Sequence, residues 1–156
     1  MNGIAHILVA TDGSEYALKA AKMAGDLSRA LNAKVTLLLV DSEDIVVPNT
    51  WGPGEFPMKK AYASMSVEEV RAMFEKHAHE HELPSTAASL GELSTTPKLV
   101  HRWGHAATEI CEYAANHDVD LIVIGSHGRT GLKSVLLGSV SHAVANNAPC
   151  PVTIVR

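Results

Sequence analysis

Residues 120–144 read DLIVIGSHGRTGLKSVLLGSVSHAV. Leu121–Ile124 is the most apolar run of the chain and reads as a buried strand. Gly125 and Gly128 then permit a tight turn and let the backbone approach a ligand with no Cβ in the way. Val140, Ala143 and Val144 mark a helix that Asn147 and Pro149 stop. Strand, glycine turn and helix in that order is the repeating unit of an α/β fold.

The flanking segments repeat the unit. Ile4–Ala10 (IAHILVA) is a second buried strand, closed by Thr11-Asp12-Gly13. Ser14 caps the helix that follows, with Ala17, Leu18, Ala21, Ala24, Leu27 and Leu31 at helical spacing and Asn32 and Ala33 at its close. Val35–Val40 (VTLLLV) is a strand of the same character, and the short connections point to a right-handed crossover and a parallel sheet. Residues 42–60, with Pro48, Gly52, Pro53, Gly54 and Pro57, read as a long irregular excursion. Ser66 and Glu69 form a capping box, with Met65 and Val70 as a hydrophobic staple. The stripe of that helix runs through Val70, Met73 and Phe74 and fades into His77, Ala78 and His81. Residues 83–97 read as turn-rich, and Leu99–Trp103 as a short strand. A helix over 106–116 turns Ile110, Cys111 and Ala114 inward, and Val152–Val155 is a last strand.

The expected architecture is therefore one domain over 1–156, a doubly wound, Rossmann-like open sheet. It has five parallel strands in the order 3-2-1-4-5 and four helices, with no internal repeat and no domain linker.

Composition narrows the function. With 46% hydrophobic and 19% charged residues the chain is not disordered. A formal net charge of −4 argues against a broad basic face for nucleic acid, so a bound anion must be held by local backbone donors and a few cations. The two cysteines, Cys111 and Cys150, suggest neither a disulfide framework nor a thiolate metal cluster. The start lacks a charged segment followed by a long apolar run, and no stretch approaches the ~20 apolar residues that span a bilayer. A soluble, cytoplasmic protein without membrane insertion is expected.

Ligands of open α/β sheets bind beyond the carboxyl ends of strands. Asp12, Val40-Asp41 and Gly125 all fall at such ends. Gly138-Ser139 opens a helix whose first amides lack partners within it, and these donors with the helix dipole form an anion site. Ser139 adds a hydroxyl where a phosphate oxygen would sit, and Arg129 and Lys133 are the nearby cations. Taken alone, the same glycines serve turns only and Ser139 merely caps a helix. The segment fails a Walker A loop, since Lys133 follows Leu132, and it fails the dinucleotide fingerprint, since its glycines fall at 125, 128 and 131.

These residues resemble the ATP-binding branch of the universal stress protein family, which carries Gly-x2-Gly-x9-Gly-Ser/Thr. Gly125, Gly128, Gly138 and Ser139 match at the required spacing. The resemblance extends through ILVATDGS at the start, WGHAATEI, DLIVIGSHGRTG and the final APCPVTIVR.

The resemblance implies individual roles. Asp12 would contact the ribose or adenine side; Ala10, Val40 and Ile124 would supply backbone and apolar contacts around adenine. Gly125 would approach the ribose, while Gly128, Gly138, Ser139 and Val140 would hold the phosphates, with Mg²⁺ carried by them. It also implies a homodimer through antiparallel pairing of the last strands around Val152–Val155, and a regulatory protein partner that the sequence does not identify. A strand at an open sheet edge is in any case a template for pairing. The sequence departs from the family at the 48–57 loop, which has no fixed family pattern, and at 84–97, a long helix-to-strand connection that leaves the register of the third strand open.

Three other readings compete. An enzyme would need a nucleophile elbow or a placeable Ser/His/Asp set, and neither is visible, so a binding or signalling role is expected over slow ATP hydrolysis or autophosphorylation at Ser139. A metal site would use His77 and His81, one turn apart among nine histidines, but no third ligand is identifiable. A nucleotide-free interaction module would not need the glycine pattern. His127, inside the loop, either touches a phosphate when protonated or points to solvent.

Overall fold

The computed structural model describes residues 3–45, 64–129 and 137–156. Most of the 42–60 excursion, including Pro48, Gly52, Pro53, Gly54 and Pro57, lies outside the described residues, as do Gly131 and Lys133.

Strand β1 (His6–Thr11) is followed by helix α1 (Glu15–Leu31), β2 (Lys34–Asp41) and a 3₁₀ turn over Glu43–Ile45. Next come α2 (Val67–His77), a π turn (Ala78–Glu82) and α3 (Leu83–Ser89), then β3 (Lys98–Trp103), α4 (Ala106–Asn116), β4 (Leu121–Gly125), α5 (Ser139–Asn147) and β5 (Val152–Val155). The five strands form one sheet in the order β3-β2-β1-β4-β5, and all neighbours run parallel. This is the expected fold.

Period-two alternation splits the sheet into two cores. Ile7, Val9, Leu37, Leu39 and Val123 face α1 and α3, where Ala20, Ala21, Ala24, Leu83 and Leu90 meet them. Leu8, Ala10, Leu38, Ile122 and Ile124 face α4 and α5, against Ile110, Tyr113, Ala114 and Val144. Buried on both faces, β1 is apolar from Ile7 to Ala10 and β4 from Leu121 to Ile124.

Local signals account for the helix ends. Ser14 Oγ accepts the Ala17 amide at 3.3 Å, and Asn32 closes α1 in the left-handed region at φ 54°. The capping box is present in both directions: Glu69 N donates to Ser66 Oγ at 3.1 Å and Ser66 N to Glu69 Oε2 at 2.7 Å.

Three details differ from the sequence reading. Residues 83–89 are helix, continuous with α2 through the π turn, so 67–89 is one irregular helix and the four-helix count holds on that basis among the described residues. Pro84 explains the irregularity, because its ring displaces the carbonyl one turn back and it has no N–H to donate, and the wide turn absorbs both. Leu31 is exposed, while Gly25 and Ser28 are buried in the α1 interface. A Cβ on Gly25 would stand 2.0 Å from the Leu90 carbonyl oxygen, so the backbones of α1 and the end of α3 touch there. On α4 the inner face is Ala107, Ile110, Tyr113 and Ala114, with Cys111 only half-buried. The register left open at β3 runs from Thr36 beside Lys98 to Asp41 beside Trp103. No helix among the described residues is long and apolar enough to cross a membrane.

Candidate functional site

The strand order reverses between β1 and β4, where Ala10 lies beside Ile124. Their carboxyl ends diverge there, leaving a crevice that α5 and the turns after β1, β2 and β4 enclose. It has a volume of about 550 Å³. Ala10, Asp12, Val40, Ile124, Gly125, Gly128, Arg129, Gly138, Ser139 and Val140 all line it, while Lys133, the other expected cation, lies outside the described residues.

One wall is apolar, formed by Ala10, Leu38, Val40, Ile110, Ile124 and Val140. Of these, Leu38 and Ile110 escaped the sequence reading as cleft residues: both sit on core-facing positions that extend past the sheet to become wall.

The opposite wall is backbone and glycine. The first i→i−4 bond of α5 runs from His142 N to Gly138 O at 3.0 Å, so the amides of 139–141 have no partner within the helix. With the positive end of the helix dipole they form the polar end of the cleft. Ser126 holds this helix start in place. Its carbonyl accepts Gly138 N at 2.8 Å and Ser141 Oγ at 3.0 Å, while its own amide donates to Val155 O at 2.7 Å. Ser126 and Ser141 are both buried, at 0% and 2% exposure. They join Gly125–Gly128 to Gly138-Ser139 across the intervening chain, and sequence reasoning missed them. The available signal was a pair of small hydroxyl residues on otherwise apolar inward positions.

Each motif glycine admits a neighbour. A Cβ on Gly128 would lie 2.6 Å from Asp12 Oδ2, one on Gly138 3.1 Å from Ser126 O, and one on Gly125 2.8 Å from the Tyr16 backbone. Gly125 therefore also serves the packing of α1 on β4.

Asp12 spends both oxygens on the turn: Ser14 N donates to Oδ1 at 3.0 Å and Arg129 N to Oδ2 at 2.9 Å. Arg129 folds back over this turn, with Nε donating to the Asp12 carbonyl and Nη2 to Glu82 Oε1. His127 does not point freely to solvent. Its Nδ1 is 3.0 Å from Ser126 Oγ, its ring packs on Tyr16 at 5.2 Å between centroids, and its shielded Nε2 has no hydrogen-bond partner among the described residues. At the β2 end, His101 Nε2 donates to Asp41 Oδ2 at 2.9 Å, with both side chains largely buried.

His77 and His81 lie on an exposed surface with ring centroids 4.9 Å apart, and His77 Nε2 is 4.0 Å from Glu82 Oε1. Among the described residues no group of three or more His, Cys, Asp or Glu side chains is placed to share a metal ion.

The family model of the Universal stress protein family matches residues 3–156. The chain is 32% identical over 155 residues to universal stress protein YxiE of Bacillus subtilis, covering 96% of this chain and 97% of that one. It is 33% identical over 153 residues to universal stress protein MJ0531 of Methanocaldococcus jannaschii, covering 96% of this chain and 81% of that one. Among solved structures it resembles MJ0577 of the same archaeon, at 27% identity and a TM-score of 0.78, over 99% of this chain and 96% of that one.

Proposed function

Because the chain belongs to the universal stress protein family, we propose that it is a receptor for an adenine nucleotide, ATP foremost, which it holds as a regulatory ligand. The observation that carries this reading is the make-up of the cleft: an apolar slot ends at the open amides of 139–141, with Gly128 and Gly138 also in its lining. A flat apolar base suits the slot and a phosphate chain suits the helix start. Ser139, Val140 and Gly138 take the phosphates, with Mg²⁺ arriving on them, and Ala10, Val40 and Ile124 surround the base.

The role is holding rather than turnover. The carboxylates of the described cleft, Asp12 and Asp41, are both committed, Asp12 to two amides and Asp41 to His101. Both carboxylates thereby brace the turns at the mouth of the cleft. The nucleotide state is then read by a protein partner. The sheet edge at β5 pairs with the same strand of a second copy, which closes an edge that would otherwise template aggregation.

Heating the purified protein and identifying the released nucleotide by chromatography tests the reading. Co-purified adenine nucleotide, or a rise in melting temperature with millimolar ATP and Mg²⁺, is expected. Absence of both overturns it.

A further inference from the structure

Glu82 does not line the cleft, yet it is bonded to a residue that does. Its carboxylate stands behind Arg129 and accepts from Nη2, while Nε of the same guanidinium is fixed on the Asp12 carbonyl and the Arg129 amide on the Asp12 carboxylate. The stem of Arg129 is thus anchored at the cleft mouth, and one edge of its charged head is left to be shared. The Arg129 side chain is 55% exposed and that of Glu82 21%. An ion pair with one partner so open adds little to folding, so stability alone does not explain the arrangement.

The fold takes trouble to put Glu82 there. The π turn enforced by Pro84 ends on it. Thr86 Oγ1 donates to the Glu82 carbonyl at 3.0 Å and bonds Thr11 Oγ1 at 3.0 Å, which ties the turn to the end of β1, next to Asp12. Both components of the pair are therefore referenced to the end of one strand. His77 Nε2 lies 4.0 Å from the same Glu82 oxygen, Oε1.

We propose that Glu82 sets the phosphate-number selectivity of the cleft, acting through Arg129. This rests on the nucleotide reading above and extends it. An incoming phosphate chain long enough to reach Arg129 must compete with the Glu82 carboxylate for the guanidinium and meets that carboxylate's negative charge. A nucleotide that ends before Arg129 meets neither. Glu82 is thus a positioning residue that weakens binding of the longer chain and keeps exchange between nucleotides open, as a regulatory site requires.

Calorimetric titration of the full chain with adenosine, AMP, ADP and ATP decides the matter. Glu82→Gln, which keeps shape and removes charge, is expected to tighten ATP about fivefold, a magnitude typical of one partly screened charge. The gain shrinks through ADP to AMP and vanishes for adenosine. Arg129→Gln weakens ATP in the same graded order, and the double variant shows no gain over Arg129→Gln alone, because the effect passes through the arginine. Should Glu82→Gln melt without cooperativity, Glu82→Asp, with the charge withdrawn by one methylene, shows the same order at smaller amplitude. An equal shift for all four ligands, no shift, or a gain that survives in the double variant overturns the proposal while leaving nucleotide binding intact. Failure of the unaltered protein to bind any of the four overturns the nucleotide reading, and this one with it.

Discussion

The Asp12 carboxylate occupies the space where a side chain on Gly128 would begin: Oδ2 lies 2.6 Å from the position of a Cβ there and accepts the Arg129 amide at 2.9 Å. The turn after β1 and the loop after β4 are thereby locked together at the point where the strand order reverses. Gly128 needs no left-handed backbone, so its requirement is one of space. Gly128→Ala is expected to push Asp12 off the amide and open the cleft mouth. A charge-assisted hydrogen bond worth about 1.5–3 kcal/mol of folding stability is lost, and the displaced loop is expected to weaken ATP binding as read by calorimetry. Asp12→Ala should weaken binding comparably, and unchanged affinity in both would separate this contact from the ligand site.

Ser141 anchors the start of α5 through Oγ bonds to Ser126 O and Gly138 O, both at 3.0 Å. Ser141→Ala leaves both carbonyls with other donors, Gly138 N and His142 N, so the cost is expected near 1 kcal/mol. For a domain of this size that is a fall of roughly 2–4 °C in melting temperature. The same change loosens the anion-facing amides, so ATP affinity should fall as well. Differential scanning calorimetry followed by titration on one sample checks both, and a loss of stability with full affinity would show that α5 keeps its position without the serine.

Gly25 carries a purely structural prediction. With Leu90 O at 2.0 Å from the position of its Cβ, and backbone rather than a movable side chain as the obstacle, Gly25→Ala must part α1 from α3. The gain in helix propensity, about 1 kcal/mol, is smaller than the overpacking cost expected at the top of the ~1–3 kcal/mol range. A net loss of stability in urea unfolding is expected. A more stable Gly25→Ala protein would refute the close approach.

Acid should destabilise the protein through His6. This residue is buried, with Nδ1 3.0 Å from His117 O and Nε2 2.9 Å from Thr36 Oγ1. Burial, with a smaller contribution from the Lys34 charge, holds its pKa below the ordinary 6.5, against the raising effect of the His117 carbonyl. A group whose folded pKa is depressed favours the folded state above its unfolded pKa. That contribution is lost as pH falls below 6.5 and through the folded value, because the unfolded chain binds the proton first. Melting temperature should drop between neutral pH and pH 5, and His6→Gln should flatten that portion of the profile. Asp120 follows at lower pH. Bonds from the Ala5 and His6 amides hold its carboxyl below 3.8, so its contribution is present above that value and fades beneath it. A profile identical in His6→Gln would assign the neutral-to-acid loss elsewhere.

The parallel sheet was legible because β1, β2 and β4 are short apolar runs that fit only a strand covered on both faces. The cleft residues were legible because family spacing and strand-end position pointed to the same glycines. What stayed hidden was polar chemistry inside apolar patterns. Ser126 and Ser141 look like ordinary turn and helix residues until a buried carbonyl needs donors. Glu82 was lost for a different reason: Pro84 and the Ser and Thr beyond it read as a turn, whereas tertiary packing of Leu83 and Leu90 keeps the segment helical and only widens one turn. Gly25 carries no signal at all along the chain, since its neighbour Leu90 is distant in sequence.

The edge at β5 gives the last prediction. Ile122 N donates to Pro151 O at 3.0 Å and Ser126 N to Val155 O at 2.7 Å, so the carbonyls of 151 and 155 face β4. Backbone groups alternate sides along a strand, which turns the N–H and C=O of Val152 and Ile154 outward to the open edge. If two copies pair there in antiparallel fashion, those amides are donors in the new ladder. Ile154→Pro deletes one of them without removing a β4–β5 bond, although some half-buried packing of the side chain is also lost. Val152→Pro makes the same deletion at the strand's start. Light scattering after size exclusion should give a dimer for the unaltered chain and a monomer for either variant that still melts cooperatively. A folded Pro variant that remains dimeric would place the dimer contact on another surface.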